Sequence, residues 1–260
     1  MAMMGRMAPL QFHTMPDGRR IAYRHTAGKG PLIVFLPGYM SDMEGSKATA
    51  IFARASAEGR ACLLFDYSGC GHSLGKDRGG HFADGTLTRW CEEVLALIDN
   101  ATRGPVVLVG SSMGGWLALL AGIALGKRLA GLVGIAAAPD FSDWGYSDEQ
   151  KARLAAGESV HEDSLYGPEP TPTYARFWHD AQRHLLLDGP IAIDCPVRLV
   201  HGQRDREVPS EISLRLARQL RSDDIQVTLV KHGDHRLSQG ADIELLLRQL
   251  WSLLDQDKTP

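Results

Sequence analysis

What this sequence has little of narrows the reading before any motif is considered. It has four cysteines (Cys62, Cys70, Cys91 and Cys195) in 260 residues, with no CxxC pair and no histidine cluster beside them. That argues against a disulfide framework and against a metal site. Neither sign of charge is in marked excess, the formal net charge being −3. A general nucleic-acid binder or a membrane-surface protein is therefore not expected. No apolar run has the length of a transmembrane helix or a signal-peptide core, and the opening stretch Met1 to Arg6 leads quickly to Pro9. An Arg-rich transit segment is also missing. These absences predict a protein of the bacterial cytosol with no stable membrane insertion. Internal repeats and low-complexity linkers are missing too, so one domain over residues 1–260 is expected.

What is present is an ordinary globular composition, 44% hydrophobic and 23% charged. Gln11 to Thr14 and Arg19 to His25 flank the turn sequence Met15-Pro16-Asp17-Gly18 and read as a hairpin. Continuous apolar runs then predict buried strands at Pro31–Leu36, Ala61–Phe65, Val106–Val109, Leu132–Ala136, Val197–His201 and Ile225–Val230. Helical patterns fall between them, at 45–58, 86–100, 116–123, 210–220 and 242–254. Strands alternating with helices give an α/β protein with a mostly parallel sheet and helices on both faces. Residues 140–194 break the alternation, with no apolar strand and many charges. Yet they hold Phe141, Trp144, Tyr146, Tyr166, Tyr174, Phe177 and Trp178. A solvated linker would not collect such rings, whereas an insertion lying over a binding site would. Trp144, Tyr146, Phe177 and Trp178 are candidate pocket residues of a lid; the alternative is that they anchor the insertion to the domain.

The most informative stretch is Val106-Val107-Leu108-Val109-Gly110-Ser111-Ser112-Met113-Gly114-Gly115. A buried strand ends in Gly-x-Ser-x-Gly and a helix follows, the context of a nucleophile elbow. Of the two adjacent serines, Ser112 has glycine two residues before and two after it, whereas Ser111 has Val109 and Met113 there. A serine nucleophile needs a base, and the base needs an orienting acid. In a parallel sheet these come from loops at the carboxyl ends of strands. After Val197–His201 the chain reads Gly202-Gln203-Arg204-Asp205-Arg206-Glu207-Val208-Pro209, and after Ile225–Val230 it reads Lys231-His232-Gly233-Asp234-His235. Asp205 and His235 are the favoured acid and base. Glu207 and Asp140 are rival acids, and His232 is a rival base. An oxyanion hole needs two backbone N–H groups. The residue after the nucleophile, Met113, supplies one, and Tyr39, in the loop after Pro31–Leu36, supplies the other. Their side chains stay free to line an acyl pocket. His201 is expected to brace the strand-end turn, and Asp66 to hold the turn that runs to Ser73.

The strings Pro37-Gly38-Tyr39, Asp66 to Ser73, Gly110 to Gly114, His201-Gly202-x-x-Asp205-x-x-Val208-Pro209 and Gly233-Asp234-His235 together resemble the α/β-hydrolase superfamily. The fuller strings Pro-Gly-Tyr-Met-Ser-Asp-Met and Asp-His-Arg-Leu-Ser are similar to its acyl-thioesterase and acyl-glucuronide-esterase branch, with mitochondrial and bacterial members. One departure is Pro37-Gly38 where His-Gly is commoner. The resemblance implies an eight-stranded sheet and a cofactor-independent serine hydrolase with Ser112, Asp205 and His235 as its triad. The expected partner is a small or acylated ester or thioester, with no cofactor and no metal. Peptidase, carbon–carbon hydrolase and perhydrolase chemistry use the same triad, and a non-catalytic ligand-binding protein could share the fold.

Overall fold

The computed structural model describes residues 8–164 and 167–255; Tyr166 and the opening Met1 to Arg6 lie outside the described residues. In chain order the elements are β1 (Gln11–Thr14), β2 (Arg20–Thr26), β3 (Lys29–Leu36), α1 (Ser46–Ala57), β4 (Arg60–Phe65), α2 (Leu87–Ala101), β5 (Val106–Ser111), α3 (Met113–Leu125) and β6 (Leu129–Ile135). The chain continues through α4 (Phe141–Trp144), α5 (Asp148–Ala155), β7 (Val160–Glu162), β8 (Thr171–Thr173) and α6 (Ala175–Ala181). It closes with β9 (Val197–Gly202), α7 (Glu211–Gln219), β10 (Ile225–Val230) and α8 (Gly240–Leu254).

Eight strands form one sheet in the order β1-β2-β4-β3-β5-β6-β9-β10. The hairpin β1–β2 and the β2–β4 pair are antiparallel, and all remaining pairs are parallel. Strand periodicity splits the core in two. Leu32, Val34 and Leu36 face one buried layer with α2, α3 and α7, while Ile33 and Phe35 face the other with α1 and α8. Among the described residues no helix is long and apolar enough to cross a membrane.

Two differences from the sequence expectation have plain causes. Strand β6 begins at Leu129 rather than Leu132, because Ala130 and Gly131 dilute the apolar signal of its first turn of chain. The stretch 140–194 also contains a short antiparallel hairpin, β7–β8. Its strands, Val-His-Glu and Thr-Pro-Thr, are three residues each and carry no apolar run to betray them.

The sheet delivers its strained backbone to one edge. Five non-glycine residues among those described have positive φ: Met40, Ser112, Ala136, Asp140 and Leu237. All lie beyond the carboxyl ends of β3, β5, β6 or β10. Such conformations cost about 1–3 kcal/mol each and persist where surrounding structure over-determines them.

Candidate active site

Ser112 sits between β5 and α3 with φ 55° and ψ −122°. The turn exists because its flanks have no side chains. A Cβ on Gly110 would drive into the Gly114 carbonyl, and one on Gly114 into the carbonyls of Leu36 and Pro37. The turn is locked by Ser112 N–H donating to Ile135 (2.9 Å) and by Gly115 and Ala138 N–H donating to the Ser112 carbonyl. Its neighbour Ser111 is buried at the end of β5.

Three residues from three strand ends meet at this turn. Ser112 Oγ lies 3.0 Å from His235 Nε2, and His235 Nδ1 lies 2.8 Å from Asp205 Oδ2. The loop after β9 winds around Asp205, whose Oδ1 accepts from Glu207 N–H and Val208 N–H at 2.9 Å each. Burial by itself would push the Asp205 carboxyl up. Hydrogen bonds from His201 and His235, the charge of His235 and the Val208 amide outweigh it and hold the group well below the usual carboxylate range. Asp205 therefore stays anionic beside the imidazole. Chemically, a hydroxyl bonded to an imidazole that is bonded to a carboxylate can give up its proton to Nε2 as Oγ attacks an electrophile.

The rivals fall elsewhere. Glu207 Oε2 is 3.9 Å from Nε2 of His235, the nitrogen facing Ser112, so it cannot orient the ring as Asp205 does. Asp140 has both carboxylate oxygens committed to the Leu186 and Leu187 N–H groups at 2.7–2.9 Å. His232 is exposed.

Met113 begins α3, so its N–H belongs to a helix N-terminus, where a developing negative charge is favoured. Tyr39 follows Gly38, which lies against Ser112. Among the described residues neither amide takes part in a turn or loop hydrogen bond. Their side chains are not free, contrary to expectation. Met113 is 1% exposed and belongs to the core. The Tyr39 ring packs edge-on to Phe82, Trp90, Phe141 and Phe177, and its hydroxyl donates to the Pro172 carbonyl in β8 at 2.9 Å.

The four candidate pocket rings divide. Phe177 is 1% exposed and lies 5.7 Å from Phe141 in a stacked pair. Tyr146 shares a short bond with Thr173 Oγ1 and packs with Leu154 and Val160. Trp178 donates to the Ser142 carbonyl. Trp144, tied to the Pro139 carbonyl, lines an open cavity with Gln203, Asp205, Arg206, Glu207, Ser210 and Glu211.

Several contacts escape a reading of motifs alone. His201 is fully buried, with Nδ1 2.7 Å from Ser213 Oγ and Nε2 3.2 Å from Asp205 Oδ2. It touches the acid itself as well as the turn; the i,i+4 spacing with Asp205 was the available signal. Lys47 of α1 donates to the Arg236 carbonyl and holds the loop that carries His235. Asp66 takes the N–H groups of Met43 and His72 at 2.7 Å each, as a turn-holding carboxylate should.

Comparison with known proteins agrees with this architecture. The model of the alpha/beta hydrolase family matches residues 33–245. Palmitoyl-protein thioesterase ABHD10, mitochondrial, of Homo sapiens is 38% identical over 259 residues, which is 96% of this chain and 81% of that protein. The solved structure of alpha/beta hydrolase domain-containing protein 10 from mouse superposes with a TM-score of 0.87 at 38% identity, covering 96% of this chain and 100% of that one. A solved bacterial chain from Agrobacterium vitis S4 gives 0.85 at 36% identity, covering 95% and 99%. The strand order, the strand-end loops and these likenesses over nearly the full length lead to one conclusion: this chain belongs to the alpha/beta hydrolase family and is a hydrolase.

Proposed function

We propose that the protein cleaves carboxylic thioesters or esters with a medium or long acyl part, through an acyl-enzyme on Ser112. The observation that carries this reading is the continuous hydrogen-bond line from Ser112 Oγ through His235 to Asp205. His235 Nε2 takes the Ser112 proton as Oγ attacks the acyl carbonyl. The oxyanion is held by the Met113 and Tyr39 amides. The leaving oxygen or sulfur then takes the proton from Nε2 and departs. Water attacks the acyl-enzyme with the same base, and the acid is released. Asp205 keeps Nδ1 protonated throughout and stabilises the imidazolium. No cofactor enters any step. The human relative's description as a palmitoyl-protein thioesterase supports the preference for thioesters with long acyl chains.

The whole chain acts as one domain in this proposal, with residues 140–194 as a lid over Ser112. The bond from Tyr39 to Pro172 and the position of Trp144 beside Asp205 support that role. The bacterial cytosol remains the compartment we propose; the mitochondrial description belongs to the relatives.

The test is labelling with a fluorophosphonate and peptide mapping of the adduct, joined to a series of acyl thioesters and esters from acetyl to palmitoyl. The adduct is expected on Ser112, absent in Ser112→Ala, with turnover of the series falling at least a thousandfold in that variant. An adduct on another residue, or turnover that survives Ser112→Ala, overturns the reading.

A further inference from the structure

The reacting nitrogen of His235 has a second carboxylate beside it that the mechanism above does not use. Glu207 Oε2 stands 3.9 Å from Nε2, the atom that faces Ser112 and hands its proton to the leaving group. Its place is fixed from below, because its own N–H donates to Asp205 Oδ1 at 2.9 Å. The side chain is about one-third exposed, so it stands at the boundary between the His235 side of the site and solvent. Glu207 also lines the cavity of about 440 Å³ shared by Trp144, Gly145, Gln203, Arg206, Ser210 and Glu211. Arg206 is the one cation among the residues of its wall, which also include Glu207 and Glu211.

We propose that Glu207 sets specificity on the leaving-group side of the site, favouring substrates whose alcohol or thiol part is cationic and disfavouring those whose leaving part is anionic. The inference rests on the serine mechanism above. In that mechanism the leaving atom must approach Nε2 to be protonated, which brings the rest of the leaving group near Glu207. At about 6 Å in a water-like dielectric, one unit charge is favoured or opposed about threefold. Two leaving groups of opposite charge are therefore separated about tenfold by Glu207 alone. The acyl side is untouched by this term, so the effect is independent of chain length.

The experiment compares octanoyl thioesters of thiocholine (cationic), 2-mercaptoethanol (neutral) and 3-mercaptopropanesulfonate (anionic). The readout is the cation-to-anion ratio of kcat/KM in each variant relative to the unaltered enzyme, which cancels intrinsic thiol reactivity. Glu207→Gln is expected to lower the ratio about tenfold and Glu207→Lys about a hundredfold, whereas Glu207→Asp keeps it within about threefold. Raising salt from 0.05 to 1 M with the unaltered enzyme is expected to shrink its preference, since the screening length falls to about 3 Å. A ratio unchanged within twofold in both Glu207→Gln and Glu207→Lys overturns the proposal, as does an equal loss on all three substrates. Should a substitution silence the enzyme, the salt series decides: a preference that does not respond to salt overturns it. Failure of the underlying mechanism is seen separately, as turnover of the neutral thioester by Ser112→Ala.

Discussion

The backbone of Ser112 offers a measurement that separates the cost of the site from its chemistry. At φ 55° and ψ −122° the residue occupies a region that glycine enters freely and alanine does not. Replacing it with alanine removes the hydroxyl and its 3.0 Å bond to His235, a loss of about 0.5–1.5 kcal/mol. The strain remains, because the Cβ remains. Replacing it with glycine loses the same bond but releases about 1–3 kcal/mol of strain. Against this stand about 0.4–1 kcal/mol of added unfolded-chain entropy and part of one buried methylene, below about 0.8 kcal/mol. Ser112→Gly should therefore be more stable than Ser112→Ala by about 1 kcal/mol, with both inactive under the proposed mechanism. Urea unfolding reads this directly. With a slope near 3 kcal/mol/M the midpoints should differ by about 0.3 M at equal slope. A glycine variant that unfolds at or below the midpoint of the alanine variant would refute the claim that the elbow is strained.

Three further outcomes are expected. Asp205→Asn should lower kcat by about three to four orders of magnitude while KM changes little, because the ring loses its anionic partner at Nδ1; steady-state kinetics on a chromogenic ester checks this, and a loss under tenfold contradicts the assignment. Burial pushes the Asp66 carboxyl up to about 6, so the folded chain binds this proton at a pH where the unfolded one, near 3.9, does not. As pH falls from 7 to 4 the group therefore adds stability, on the order of 2–3 kcal/mol; the stability of the unaltered protein relative to Asp66→Asn should rise over that window, and a constant difference would contradict it. Phe177→Ala should cost about 3–5 kcal/mol, while Trp144→Ala should cost clearly less and alter substrate preference; thermal melts with a substrate panel distinguish a ring anchored in the core from one at the cavity wall.

The parallel strands were legible because burial on both faces demands unbroken apolar runs, as in Val106 to Val109. The elbow was legible because backbone approach forbids side chains at Gly110 and Gly114, and that prohibition leaves a mark in the sequence. The choice between Asp205 and Glu207 was only half legible. Both follow β9, and what separates them is which imidazole nitrogen each reaches, a matter of a few ångströms. The β7–β8 hairpin was hidden because its pairing is carried by backbone groups of polar residues around Pro172. The tie of Tyr39 to that hairpin was hidden for the same reason: its acceptor is a main-chain carbonyl, 133 positions away, that any residue would provide.

The two hydrogen-bonded ends of the excursion between β6 and β9 also bear on how this protein could be re-engineered. Asp140 at its start clasps the N–H groups of Leu186 and Leu187 at its close. Between them hang α4, α5, the β7–β8 hairpin and α6 from a neck already shut, so added length in a flexible turn of this segment costs little: a doubling of such a loop costs only about 0.6 kcal/mol of closure entropy. The neck thus bounds a cassette that is exchangeable where its inner rings still fill the core. Chimeras cut at the Asp140–Leu187 neck should keep the recipient's sheet, and its stability where the incoming segment supplies a ring in place of Phe177 against Tyr39 and Trp90, whereas cuts placed between Asp140 and Leu186 would divide the clasp between two parents.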